Sequence, residues 1–174
     1  MARRTSLREF QMSVANRLRD LASRKTVSSK LGFQVGGENW IVNLVDVSEV
    51  IPVPTVMTVP LTLSWFRGVA NVRGNLYSIV DFAAFQGGEA TSQTLERRVI
   101  LLSDRRIVGS GLLIGRMLGL RNPEQLVREP DPVQRPAWLR GVYRDPAGVL
   151  WRELDVAALA EDARFLEVGA AQAA

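Results

Sequence analysis

The chain has 174 residues, 47% of them hydrophobic, with no cysteine and no histidine. Those absences exclude disulfides, Cys/His metal sites, Ser-His or Cys-His nucleophilic pairs and an imidazole general base, leaving carboxylates, Tyr, Lys and Arg for any catalysis. The formal charge of +4 is uneven: residues 1–30 hold eight basic against two acidic side chains, a net +6, while the other 144 hold 14 against 16, a net −2.

At the N-terminus, Ser6-Leu7-Arg8-Glu9 is a capping-box sequence. Leu7, Phe10, Val14, Leu18 and Leu21 then recur every three or four residues, which predicts an amphipathic helix to about Arg24 within a basic extension over 1–30. Such a stripe suits docking on the body or on a partner; its charge also suits an anionic lipid surface. The most apolar stretch, Ile41 to Val59, is broken by Asn43, Asp46, Ser48, Glu49, Pro52 and Pro54, so no membrane span is expected. Arg3-Arg4 leads into no apolar segment, so no export signal is expected and the cytoplasm is the expected location.

From Gly32 the texture changes to short β-type runs. Phe33 and Val35 lead through Gly36-Gly37-Glu38-Asn39 into alternating Trp40, Val42 and Leu44, a hairpin signal. Val99–Leu102, a turn at Ser103–Arg106 and Ile107-Val108 predict a second hairpin. Between and after them runs an internal repeat. Trp65-Phe66-Arg67-Gly68-Val69 recurs as Trp138-Leu139-Arg140-Gly141-Val142. Gly74, Leu76, Asp81, Ala83, Ala84 and Phe85 recur as Gly148, Leu150, Asp155, Ala157, Ala158 and Leu159, one residue further apart. The same all-β unit therefore occurs twice, over about 31–94 and 95–155. A C-terminal helix over 155–167 completes a body over 31–168, and a disordered tail over 169–174 is expected. Units this small have marginal cores alone, so the two should pack on each other.

The repeat separates structural from functional residues. Asn71-Val72-Arg73-Gly74 and Asp145-Pro146-Ala147-Gly148 both read as type I turns, which accounts for Asn71, Gly74 and Gly148. Asp81 and Asp155, present in both copies, read as helix caps. Arg73 is not explained this way, because the second copy holds Ala147 there; an arginine at a turn tip that the turn does not need is a contact candidate. Trp65 and Trp138 read as packing residues. Gly109, Gly111, Gly115 and Gly119 fit no phosphate-binding pattern and read as bulges or close packing. Arg121 to Pro136 reads as a long surface loop. The neighbouring carboxylates Glu129/Asp131 and Glu161/Asp162 read as solvated, and nothing in the sequence assembles a catalytic or metal site.

Val47-Ser48-Glu49-Val50-Ile51, Gly68-Val69-Ala70-Asn71-Val72-Arg73-Gly74 and Ile79-Val80-Asp81-Phe82 together resemble the CheW-like domain of bacterial chemosensory systems. Pro123-Glu124-Gln125-Leu126 and Gly148-Val149-Leu150 through Leu154-Asp155 extend the resemblance, which covers about Leu31 to Leu166. Trp65 to Asn71, with the helical extension, is similar to the form found in type IV pilus (twitching) systems. Ser78 and Phe82 depart from the family's usual Pro and Leu. The resemblance implies an all-β fold: two SH3-like five-stranded β-barrels in one domain. It implies a non-enzymatic adaptor without cofactor or metal, coupling methyl-accepting chemoreceptors to a CheA-type histidine kinase. The adaptor would bind the receptor's cytoplasmic tip and the kinase's own CheW-like regulatory domain. By motif it carries partner binding to Glu49 and Arg73, lying near each other, and to Val47, which strand alternation puts on the same face as Glu49. The competing expectation is a nucleic-acid-binding SH3-like barrel using the basic N-terminal segment, with steep salt dependence. The net −2 of the body counts against it, and no nucleic-acid partner is expected.

Overall fold

The computed structural model describes residues 29–170; the predicted N-terminal helix lies outside them, and Lys30 already belongs to the first strand. The first hairpin, β1 (Lys30–Val35) and β2 (Glu38–Asn43), turns through Gly36 and Gly37, both at positive φ. That is the backbone a two-residue hairpin loop demands. A 3-10 turn at Leu44–Asp46 leads to β3 (Val47–Pro52), β4 (Phe66–Val72), β5 (Asn75–Asp81) and a one-turn helix α1 (Phe82–Phe85). The second half repeats the plan: β6 (Arg98–Leu102), β7 (Ser110–Ile114), β8 (Arg116–Arg121), β9 (Val127–Arg128), β10 (Leu139–Arg144), β11 (Leu150–Leu154) and α2 (Val156–Ala160), followed by α3 (Ala163–Leu166).

The strands form a six-stranded sheet, β8-β1-β2-β11-β10-β9, and a five-stranded sheet, β3-β6-β7-β5-β4. The expected five-strand plan holds in both, with two-residue β9 added at one edge. The sequence units, however, are not the spatial units. Each copy sends its hairpin into the other copy's sheet: β1–β2 lies parallel to β11, and β6–β7 lies parallel to β5. Dividing the chain at 94/95 therefore cuts both sheets. A parallel neighbour cannot be reached by a tight turn, whereas repeat similarity reports local structure and not pairing. The equivalence itself is close: the amides of Asp81 and Asp155 donate to the carbonyls of Trp65 and Trp138, both at 2.8 Å.

One apolar cluster joins the two sheets. Trp40 of β2 and Trp138, just before β10, meet Phe82 and Phe85 of α1, with ring centroids 5.3–6.0 Å apart for Trp40–Phe82, Phe82–Trp138, Phe85–Trp138 and Trp40–Trp138. Trp65 and Phe165 close it on Phe85, each at 5.3 Å. Such contacts contribute about 0.5–1.5 kcal/mol per pair beyond area burial.

The interiors of the two barrels differ. The five-stranded one is filled by Ile51, Ala70, Ile79, Val99, Leu101 and Leu113. In matching registers the six-stranded one holds Glu153 where the other has Ile79, and Lys30 where it has Val99. These two form a buried ion pair, Lys30 Nζ to Glu153 Oε1 at 2.5 Å, with Lys30 also donating to Asn43 at 3.1 Å. Arg140 approaches Glu153 at 3.9 Å. Burial first, then the Glu153 carboxylate, push the Tyr143 hydroxyl above its ordinary value.

Four local expectations are corrected. Ile107 and Val108 are not strand: the loop runs from Ser103 to Gly109, whose positive φ delays β7 to Ser110. The C-terminal helix is two helices, because Asp162 accepts from the amides of Arg164 and Phe165 and starts α3 anew. Within the tail, Gly169 pairs with Thr62, and the Ala170 amide donates to Leu61 at 2.9 Å, so those two residues are tied down. The Arg121–Pro136 segment contains a 3-10 turn at Pro123–Gln125 and β9. Gly111 packs where a Cβ would meet Val99 at 2.8 Å, and Gly119 with φ +81 sits at the β1–β8 bulge.

Lys30→Met is expected to cost about 3–5 kcal/mol in urea unfolding, since it strands a buried carboxylate. Lys30→Met with Glu153→Ile, copying the apolar barrel, is expected to recover to within about 1 kcal/mol of the parent or exceed it.

Candidate partner-binding site

The parallel β5–β7 pairing and the antiparallel β3–β6 and β4–β5 pairings place the start of β3, the β6–β7 loop and the β4–β5 turn at one end of the five-stranded barrel. There Arg73 and Glu49 meet in a two-pronged contact: Nη1 donates to Oε2 and Nη2 to Oε1, both at 2.8 Å. The pair stays in solvent, with side chains 75% and 37% exposed. An exposed pair contributes only about 0–1 kcal/mol, so its value to the fold is small.

The turn carrying Arg73 is not type I. Val72 pairs with Asn75, leaving Arg73 and Gly74 as the two loop residues, at φ +52 and +88. Positive φ at both positions marks the I′ class, which favours Asn or Gly. Asn71 Oδ1 braces it by accepting from the Gly74 amide at 2.8 Å. The second copy, one residue longer, does form a type I turn: the Gly148 amide donates to the Asp145 carbonyl at 2.9 Å, and Gly148 takes φ +81. Its Asp145 carboxylate accepts from Trp151 Nε1 at 3.0 Å and from the amides of Val149 and Ala147. Those donors, Trp151 foremost, hold the carboxyl below its usual range.

A bulge at Ser48 overturns the expected common face of Val47 and Glu49. Val47 lies opposite Leu102, but Glu49 opposite Leu101, with the register shifting between them. Two residues then oppose one and the alternation slips. Val47 consequently packs with Val50 against the large inter-sheet cluster, and Glu49 shares the face of Ile51, where it reaches Arg73. Asp81 and Asp155 accept from the amides of Ala84 and Ala158, at the starts of α1 and α2. Asp81 also takes the amide and hydroxyl of Thr91, at 2.9 and 2.8 Å, tying down the segment after α1.

The same barrel end carries exposed apolar side chains that the sequence reading passed over: Val45, Leu76 and Val108. The hairpin pattern hides Val108 in a strand; Leu76, repeated as exposed Leu150, is the one legible signal. Asp46, buried beside Val45, accepts from Arg106 Nε at 2.7 Å and its carbonyl from the Ser103 amide, locking the 44–46 turn to the β6–β7 loop. That bond, with Asp46's charge, holds the Arg106 guanidinium above its ordinary value. Among the described residues there is no cluster of metal-ligating side chains, and no helix is long and apolar enough to cross a membrane. The barrel end thus presents a doubly hydrogen-bonded ion pair and exposed apolar side chains on one surface.

Comparison with known proteins identifies the family. The CheW-like domain pattern matches residues 30–164. The chain is 31% identical over 144 residues to protein PilI of Pseudomonas aeruginosa, covering 80% of this chain and 79% of that protein. It is 26% identical over 102 residues to a probable chemotaxis protein CheW of Rhizobium etli, covering 59% of this chain and 65% of that one. The crystal structure of the scaffolding protein TtCheW from Thermoanaerobacter tengcongensis superposes with a TM-score of 0.68 at 17% identity, over 82% of this chain and 98% of that one. The chain belongs to the CheW-like family, with two SH3-like barrels, and its class is that of coupling adaptors in chemosensory signalling.

Replacing Arg73 by Gly removes the positive-φ cost of about 1–2 kcal/mol and a pair contributing about 0–1 kcal/mol. Arg73→Gly is therefore expected to leave thermal stability unchanged or raised by up to about 2 kcal/mol; a loss of about 1 kcal/mol or more would make the pair structural. Because a depressed carboxyl stabilises above its unfolded value and loses that contribution as pH falls through its folded value, Asp145→Asn should flatten the stability profile below about pH 4.

Proposed function

We propose that this chain couples methyl-accepting chemoreceptors to a CheA-type histidine kinase without turnover of its own, within a chemosensory pathway that controls type IV pilus twitching motility. The observation that carries this reading is the Glu49–Arg73 pair: exposed, doubly hydrogen-bonded, and held on a strained turn that the second copy builds without an arginine. Glu49 and Arg73 are the proposed contact residues; Val47 acts through its packing, setting the position of β3. The pilus assignment is supported by the likeness to PilI. The adaptor works in the cytoplasm at receptor arrays, holding the kinase's CheW-like regulatory domain and the receptor's cytoplasmic tip in one geometry.

Charge reversal tests this. Arg73→Glu places two carboxylates together in solvent and should leave the fold intact by circular dichroism. Capture of the kinase regulatory domain or of the receptor tip should fall by about tenfold or more, the loss expected of a central charged contact. Unchanged capture of both, with receptor-dependent kinase control intact, removes the site from this function.

A further inference from the structure

Among the described residues, two buried side-chain polar atoms lack any partner: the indole N–H groups of Trp40 and Trp138. These tryptophans are 1% and 4% exposed. An unsatisfied buried donor costs about 1–3 kcal/mol, so each indole gains from any acceptor brought within its reach. Both residues line a cleft of about 490 Å³ together with Arg135, Arg152, Arg164 and Leu139, and the lining contains no carboxylate.

The three guanidinium groups are unequally compensated. Arg152 binds Glu38 at 2.7 Å. Arg135 reaches Asp131 only at 3.5 Å and directs Nη1 to the carbonyls of Leu139 and Arg140. Arg164 donates to the Phe85 carbonyl at 3.1 Å and has no carboxylate within 4.0 Å among the described residues. Net positive charge is thus left on the Arg164 side. Trp40 and Arg152 lie on β2 and β11 of the six-stranded sheet, so the cleft is separate from the Glu49–Arg73 barrel end.

We propose that this cleft binds an organic oxyanion, a carboxylate or phosphate ester carrying an apolar part. Guanidinium forks match both oxyanions. The volume lies in the range of small-ligand sites, and an apolar wall with a few convergent donors is their usual make-up. The oxyanion sits between Arg164 on α3 and Arg135 on the loop before β10, and its remaining lone pairs accept from the two indoles. Both indole N–H groups are shut off from solvent, so ligand entry turns cleft-wall side chains aside.

Four tryptophans give four indole N–H resonances, two inside the cleft and two, Trp65 and Trp151, outside it. The full chain is titrated with inorganic phosphate, citrate and adenosine monophosphate, against sodium chloride at matched ionic strength. Saturable shifts of the Trp40 and Trp138 resonances with at least one of the three, while Trp65 and Trp151 stay still, are expected. Arg164→Gln should weaken that binding by about tenfold or more, the loss of one charge-assisted contact, and Arg164→Lys should fall between. If Arg164→Gln disturbs Trp65 and Trp151, Arg135→Gln takes its place. No saturable shift with any probe, the same shift with chloride, or undiminished binding in the Gln variant overturns the proposal.

Discussion

One buried contact distinguishes the two barrels and constrains how their hairpins are exchanged, the ion pair between Lys30 and Glu153. Two similar sequence units exchange hairpins, so the chain must specify which hairpin enters which barrel. Lys30 arrives on β1 and meets Glu153 on β11; in the other barrel the matching positions are Val99 and Ile79. If β1–β2 packed beside β5 instead, Lys30 would face an apolar interior and Glu153 would be left without its cation. Each uncompensated buried charge costs several kcal/mol. The pair thus selects the exchanged arrangement against its competitor, whatever it adds to net stability.

That exchange also makes the two barrels one mechanical body. Each sheet contains strands from both halves, and the cluster of Trp40, Trp138, Phe82, Phe85, Trp65 and Phe165 seals them together. Surfaces on the two barrels therefore keep a fixed relation, which is what the proposed coupling role requires. The proposed contact groups, Glu49 and Arg73, lie at a barrel end formed by three separate chain segments, with Asp46 and Arg106 locking two of them.

Much of this was legible in the sequence, for physical reasons that differ by element. Alternating Phe33, Val35, Trp40 and Val42 announced a hairpin, and the duplicated Trp-x-Arg-Gly-Val and Asp-x-Ala-Ala segments announced two equivalent units. The resemblance to the family supplied the closeness of Glu49 to Arg73. Pairing between units was illegible, because a parallel neighbour leaves no mark on local pattern. The bulge at Ser48 was illegible too: an inserted residue looks the same as a regular one until its partner strand is known, and it turned Val47 away from Glu49. The cleft arginines 135, 152 and 164 are scattered in sequence and converge only in space.

The duplication offers an internal control on what the Arg73 turn is for. Both hairpins join equivalent strands, so both turns solve the same closure problem. The second does so with each need met: proline pre-set, glycine at the positive-φ position, and Asp145 accepting from two amides and an indole. The first uses a shorter loop and puts an arginine at φ +52, where a glycine or asparagine costs less. Its one side-chain return is a solvent-exposed pair with Glu49, too weak to offset that strain. Strain with so small a folding return, at a position the sister turn leaves to alanine, supports the proposed contact role of an arginine whose exposed guanidinium is fixed by Glu49.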